Sequence, residues 1–333
     1  MKKTHRVTIK EIAEQTGSSI STVSRVINGE RHVNETTRKK ILKALEESGY
    51  RSDPFALALK TGQTKIVQLI IDTFEGAFIN QIMTGLLFTA RPMGYRILLS
   101  TLEYEEGVNF QEDISDGVIF VAGTVDRVNL EKIKSRIHVP LVCVYSYDED
   151  QNIHSLIPDD FDGAFKAADH LIDRGCRNIL FVKGMPGLAL SERLKGFQAA
   201  LEHHGYLKNA AYADAGSWEY SDAYAAVGEY LAAGSSPDGV FASSDHLAVG
   251  ALKALNDHGL SVPDEVKLIG FDDKHMDRFL HPSLSSIAMP LRELGKTAFD
   301  LLLQEIRQHG TGTRGPKGIV KLPCRLIPRN STL

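Results

Sequence analysis

Ile20, Ser21, Ser24, Arg25 and Asn28 share one outward face if residues 20–28 are helical. Short hydroxyls, one amide, one apolar group and one Arg can approach base edges closely, and Arg can bond a guanine through two N–H groups at once. The same face on a small helical bundle would also suit a protein partner. A second set of polar residues stands directly after apolar runs. Asp72 follows Ile66–Ile71, Ser244-Asp245 follow Gly239–Ser243, and Asp272-Asp273 follow Val266–Phe271. Trp218, the single tryptophan, lies in a loop after Tyr212–Ala215. Loop solvation or helix capping accounts for each alone, and Asp245 is placed to cap the helix it opens. Together they mark strand ends, and ligands of open parallel sheets sit beyond the carboxyl ends of strands.

These residues need elements to hold them. Thr8-Ile9-Lys10-Glu11 fits a capping box, Ile9, Ile12 and Ala13 recur on one face, and Gly17 stops the helix. Ser19 caps a second helix over Ile20–Asn28 with Val23, Val26 and Ile27 inward. Asn34 caps a third with Ile41, Leu42 and Leu45 inward, ending near Gly49. Two helices joined by a tight Gly turn and buttressed by a third describe a helix-turn-helix. Asp53-Pro54 then opens a short helix that Gly62 closes, too short to be stable alone in water. Beyond residue 64, apolar runs at 66–71, 96–99, 118–121, 141–144, 179–182, 239–242 and 266–271 alternate with helical patterns at 80–91, 161–174, 192–204, 222–232 and 246–258. Such alternation means parallel sheets covered by helices.

Charge divides the same way. Residues 1–65 carry 13 Lys/Arg and 7 Asp/Glu, net +6, while the rest carries 25 and 35, net −10. A basic head on an acidic body suits a head that meets a polyanion. No apolar run is long enough to span a membrane, and the basic amino terminus has no apolar stretch behind it, so the chain is expected to stay in the cytoplasm. Cys143, Cys176 and Cys324 are far apart and lack metal-ligand spacing, as expected of buried thiols in a reducing compartment. His203-His204 end a polar helix and read as a solvated pair. No Walker loop, H-E-x-x-H, G-x-S-x-G or Cys-x-x-Cys occurs, so no enzyme, cofactor or metal is expected.

Ile9-Lys10-Glu11-Ile12-Ala13, then Ser21-Thr22-Val23-Ser24-Arg25-Val26-Ile27-Asn28-Gly29, Thr37-Arg38 and Gly49-Tyr50-Arg51 closely resemble the headpiece of the lactose-repressor (LacI/GalR) family. The resemblance implies that Ile20, Ser21 and Arg25 read bases. It also implies that Ser19, Thr22, Ser24, Asn28, His32, Thr37 and Tyr50 position the head on phosphates. By the same resemblance Asp53–Gly62 is a hinge helix that forms on operator DNA, with Leu59 as a minor-groove wedge and Ala56 as its close-packed neighbour. Ser52-Asp53 replace the family's usual Pro-Asn, and Leu57 replaces a polar residue, which would make hinge contacts in a homodimer more apolar.

The likeness continues through Asp159-Asp160-Phe161-Asp162-Gly163, Arg193-Leu194-Lys195-Gly196-Phe197, Ser244-Asp245 with Ala248 and Gly250, and Gly270-Phe271-Asp272-Asp273. The implied fold is an all-α helix-turn-helix headpiece (1–51), a hinge (52–63) and a two-lobed, periplasmic-binding-protein-like α/β body of doubly wound parallel sheets (64–333). Lobe one would hold about 64–158 and 291–317, and lobe two about 159–290 and 318–333. Carried over, Arg193, Trp218, Ser244 and Asp272 line an effector cleft, with Phe74 opposite. A carboxylate, an Arg and an indole suit a sugar, and a purine corepressor would also stack on Trp218. Ser244 stands where Asn is usual, which enlarges the pocket, and Tyr104–Asp116 is short for the family. The resemblance thus implies a transcriptional regulator, a repressor, that binds a near-palindromic operator as a homodimer under the control of a small molecule. The alternatives are a sugar-binding transport or sensor protein without a DNA role, and a purine-responsive regulator.

Overall fold

The computed structural model describes residues 7–27, 32–50, 62–71, 77–101, 114–121, 134–146, 152–309 and 316–333. It divides into two compact units, residues 1–65 and 66–333.

Among the described residues the smaller unit holds three helices, α1 (Ile9–Thr16), α2 (Ile20–Ile27) and α3 (Glu35–Ser48). The capping box at α1 is complete: the Thr8 hydroxyl accepts from the Glu11 N–H, and the Thr8 N–H donates to Glu11 Oε2 at 2.6 Å. Gly17, at φ 61°, ends α1 in the left-handed conformation that glycine tolerates without a Cβ clash. The Ser19 hydroxyl accepts from the Thr22 N–H at 3.1 Å, and Asn34 Oδ1 from the Thr36 N–H at 2.9 Å. Ile12, Ala13, Val23, Val26, Ile41 and Ala44 form the core. Leu42, expected inside, is 48% exposed, and Ala44 takes its place. The inward stripe of α3 runs 41, 44, 45, the i, i+3, i+4 spacing of one helical face, and leaves residue 42 about 100° away. The hinge expected at 52–63 lies outside the described residues, save for Gly62 and Gln63.

The larger unit contains two parallel sheets. The first has six strands in the order β11-β5-β4-β3-β1-β2: β1 (Ile66–Ile71), β2 (Arg96–Thr101), β3 (Gly117–Val121), β4 (Leu141–Val144), β5 (His154–Pro158) and β11 (Ile319–Leu322). The second orders β7-β6-β8-β9, with β6 (Ile179–Lys183), β7 (Ala211–Asp214), β8 (Gly239–Ala242) and β9 (Lys267–Ile269). A two-stranded antiparallel ribbon pairs β10 (Ser286–Ala288) with β12 (Arg325–Ile327). All seven apolar runs read as strands form strands, with ends moved by up to two residues.

Helices cover both faces of the second sheet. Those at Asp160–Asp173 and Leu188–His203 bury Ala167, Leu171 and Phe197 on one side, and those at Tyr220–Ala232 and Asp245–Asp257 bury Val227, Leu247 and Leu255 on the other. On the first sheet, Ala77–Ala90 packs with a nineteen-residue helix, Leu291–His309, whose Leu294, Ala298, Phe299 and Leu302 share the core of Val67, Leu69 and Ile119. Residues 319–322, expected in lobe two, belong instead to the first sheet, where they pair in parallel with Ser155–Pro158. As a half-exposed edge strand, this segment carries little apolar signal to announce itself. The chain therefore passes between the sheets three times, at 158–160, 288–291 and 322–325. Cys143, Cys176 and Cys324 are buried and none is in a disulfide.

Candidate functional site

In the smaller unit, burial of Val23 and Val26 fixes which way α2 faces. Ile20 is half exposed, Ser21 and Arg25 are exposed, and Ser24 lies between. Ser19, Thr22, Arg25, His32, Thr37 and Lys40 line one concave surface. That surface gathers four of the expected phosphate-positioning residues and adds Lys40, a cation that the sequence had not singled out. The Tyr50 ring is partly buried against the core. Asn28, Ala56 and Leu59 lie outside the described residues.

In the larger unit, the four strands of the second sheet run parallel, so their carboxyl ends share one edge, called the crevice below. Gly184 follows β6, Trp218 comes after β7, Ser243 and Ser244 follow β8, and Asp272 follows β9. A Cβ on Gly184 would sit 2.3 Å from the Trp218 ring, so the indole lies directly on that backbone and only glycine fits. A His246 ring nitrogen bonds the Trp218 carbonyl, tying the tryptophan loop to the helix that starts at Asp245. The Ser244 hydroxyl accepts from the Leu247 N–H at 3.3 Å. Ser244 is therefore the helix cap, the part expected of Asp245, and Asp245 is buried with other partners.

Arg193 is the centre of the crevice. Its helix starts at Leu188, four residues earlier than the sequence pattern suggested, which places Arg193 in the second turn. The guanidinium is buried. Its Nε donates to Asp160 Oδ1 at 2.8 Å, one terminal nitrogen donates to the Ser243 carbonyl at 2.6 Å and lies 3.7 Å from Asp272 Oδ1, and the other meets Met289 Sδ at 3.5 Å. The group also lies over the Phe271 ring, 3.8 Å from its centroid. Burial works against its charge, and Asp160 and Asp272 more than offset that, so it stays protonated. Asp272 adopts φ 125°, a strained conformation for a residue with a Cβ, with its N–H on the Ile287 carbonyl at 2.8 Å and Lys274 Nζ 3.6 Å from Oδ2. Burial raises the carboxyl groups of Asp160 and Asp272, and Arg193 pulls both back toward ionisation.

Phe74 lies outside the described residues, and the first lobe instead contributes Tyr145. It follows β4 at φ 67°, meets Phe78 edge-on at 4.4 Å, and donates its hydroxyl to Met289 Sδ at 2.7 Å. Burial pushes its hydroxyl well above the usual tyrosine range. Glu192 Oε2 reaches across to Lys321 Nζ at 3.6 Å, from the helix of Arg193 to β11. Asp160, Tyr145, Met289, Lys274 and His246 were not picked out from the sequence as site residues. Asp160 had one usable signal: it follows β5, a strand whose His-Ser-Leu-Ile-Pro composition hides it. His203 and His204, read as solvated, sit near the surface with His204 2.7 Å from Asp169.

Comparison with known proteins agrees with this geometry. Residues 8–53 match the model of bacterial regulatory proteins of the lacI family, and residues 168–332 match a periplasmic binding protein-like domain. Catabolite control protein A of Priestia megaterium is 31% identical over 98% of this chain and 99% of its own length. The lac repressor dimer bound to operator and the anti-inducer ONPF superposes with a TM-score of 0.82 at 25% identity, covering 99% of this chain and all of that one. The complex of the transcriptional regulator CelR with cellobiose gives 0.67 at 26% identity, over 98% and 100%. An exposed polar face on α2, a body whose parallel strands end beside a buried Arg193, and a relative matched from end to end make one case: the chain belongs to the lacI family of bacterial regulatory proteins.

Proposed function

We propose that the protein is a repressor that reads an operator with its small unit and answers a neutral sugar held in the crevice of its large one. The observation that carries the reading is the buried Arg193 at the carboxyl ends of the second sheet, in contact with Asp160, the Ser243 carbonyl and Asp272. Two cations there, Arg193 and Lys274, are matched by two carboxylates, Asp160 and Asp272, so an uncharged polyol leaves the balance undisturbed. Asp272 accepts from sugar hydroxyls, the Ser244 hydroxyl donates while it caps, and the free face of Trp218 takes the apolar side of the ring. The resemblance to the family assigns Phe74 a contact to the same ligand, beside Tyr145 of the first lobe. A purine stacks on the same indole, and that is the competing ligand.

Ile20, Ser21 and Arg25 read bases in the major groove, while Ser19, Thr22, Ser24, Asn28, His32, Thr37 and Tyr50 grip phosphates. Ala56 and Leu59 wedge the minor groove. Two copies bind a near-palindrome, as the lac repressor dimer binds its operator. The protein acts in the cytoplasm, where the operator is, and catalyses nothing. Units 1–51, 52–63 and 64–333 then serve as reader, hinge and sensor. Replacing Arg25 by Ala is expected to cost about 1–3 kcal/mol at one base pair of each half-site, with a steep loss of binding as salt rises. If Arg25→Ala binds the cognate operator and a scrambled one each as tightly as the wild type does, the reader assignment is defeated. Thermal-shift screening against neutral sugars, sugar phosphates and purines separates the ligand classes. A shift with purines alone overturns the sugar assignment.

A further inference from the structure

We propose that Asp277 is a positioning residue for the ligand crevice, acting through a single proton that it shares with Asp245. The inference rests on reading the crevice as the ligand site. Its tests need no ligand, so a failure of the shared proton and a failure of the ligand screen are separate results.

Both carboxyl groups are fully buried. Asp245 opens the helix Asp245–Asp257, and Asp277 lies in the short 3-10 turn His275–Phe279. Asp245 Oδ2 accepts from the Lys274 N–H at 2.9 Å and Oδ1 from the Ser286 hydroxyl at 2.6 Å. Neither Asp277 oxygen meets an N–H or hydroxyl donor among the described residues, and the polar group they face is the Asp245 carboxyl. Two carboxylates cannot bond each other without a proton, and two like charges this close cannot both ionise away from water.

The surrounding charges compensate the pair only in part: Arg329 draws Asp277 toward ionisation, but its own contacts lie elsewhere. From the loop, Lys274 Nζ is drawn to Asp272 and Asp273 is bonded by Arg329. Arg329, from the last residues of the chain, also donates to the Leu284 carbonyl. On the helix, His246 is turned to the Trp218 carbonyl, and on β10 Ser286 is neutral. Asp272 and Asp273 add negative charge to the pair's surroundings. Burial pushes the Asp245 carboxyl well above the carboxylate range and lifts Asp277 to about 6. The pair therefore keeps one proton at neutral pH.

That proton matters because Asp245 grips the segment carrying Asp272. Its N–H donates to the Phe271 carbonyl at 2.8 Å, and its side chain holds the Lys274 N–H. Gly270 passes so near that a Cβ there would lie 2.2 Å from Asp245 Oδ1. Residues 270–274 are thus clamped at both ends, with Asp272 held between at φ 125°. Losing the proton sets two negative charges against each other beneath the clamp and loosens it.

The test compares full-length wild type, Asp277→Asn and Asp277→Ala. Asn supplies from its amide the hydrogen that the shared proton supplies in the wild type. Between about pH 6 and pH 8 the wild-type folding constant is expected to fall, relative to Asp277→Asn, by up to tenfold per pH unit, the signature of one extra proton in the folded state. Infrared spectra at neutral pH are expected to show a protonated carboxylic acid carbonyl in the wild type that Asp277→Asn lacks. Emission of the lone Trp218 reports the crevice. It is expected to drift with rising pH in the wild type, to stay at the wild-type neutral position in Asp277→Asn, and to be displaced at all pH in Asp277→Ala. The proposal is overturned by equal pH slopes in wild type and Asp277→Asn, by no acid carbonyl in the wild type, or by wild-type emission in Asp277→Ala.

Discussion

Replacing Arg193 by Met isolates the charge at the centre of the crevice. Met keeps the aliphatic stem, so packing changes little, but the guanidinium bonds to Asp160 and to the Ser243 carbonyl disappear. Arg193 is 4% exposed and Asp160 7%, so water screens neither partner. Breaking such a pair from one side leaves an unbalanced buried carboxylate and costs about 3–5 kcal/mol. For a unit of this size, at about 2–4 °C per kcal/mol, the melting temperature falls by roughly 10 °C. Thermal and urea unfolding at pH 7 measure this, and Asp160→Asn completes the cycle. The double variant should recover about 1–3 kcal/mol, since an amide needs no counter-charge. The pH dependence has a definite sign. Burial already raises the Asp160 carboxyl, and without Arg193 nothing comparable pulls it down. Its folded value then stands further above its unfolded one, so stability is intact in acid and is lost as pH rises through the folded value. The deficit of Arg193→Met should widen from pH 5 to pH 8. A cost under about 1 kcal/mol, additive with Asp160→Asn and flat with pH, would refute a guanidinium that balances a buried carboxylate.

Thr8→Ala removes one half of the capping box of α1 and should destabilise the small unit by about 0.5–2 kcal/mol while leaving unfolding of the large unit unchanged; domain-resolved hydrogen exchange distinguishes the two. Gly184→Ala puts a methyl group into the Trp218 ring, so the indole must leave its seat. Its fluorescence should shift and binding of the identified ligand should weaken, and unchanged emission would mean that the ring does not rest on that backbone.

Much of the fold is visible in the residues themselves. The runs at 66–71, 141–144 and 239–242 are apolar because parallel strands are buried on both faces, and that continuous signal gives both of their ends. The capping box at Thr8 and the left-handed turn at Gly17 depend only on near neighbours, so local sequence suffices. What the sequence hides is long-range. β11 is half exposed and becomes a strand only because β5, more than 150 residues earlier, offers an edge. Leu42 looks like core until the helix phase set by Ile41 and Ala44 turns it outward. In the site, Asp272 and Ser244 could be picked out because they follow strands that are themselves easy to see. Asp160, Tyr145 and Met289 could not, since their place beside Arg193 is set by three separate crossings of the chain.

Those crossings also set an order of events on the ribosome. The small unit has all of its core residues by residue 50. The first sheet, begun at residue 66, lacks its edge strand until residue 322, and the ribbon that bridges to the second lobe is not closed until residue 327. At roughly 5–20 residues per second, the head precedes the finished sensor by some tens of seconds. Through that interval a nascent chain carries a folded head that no ligand yet controls. A pulse of synthesis therefore presents the promoter with reading heads before it presents regulated ones, and residues 319–327 bring the two into step.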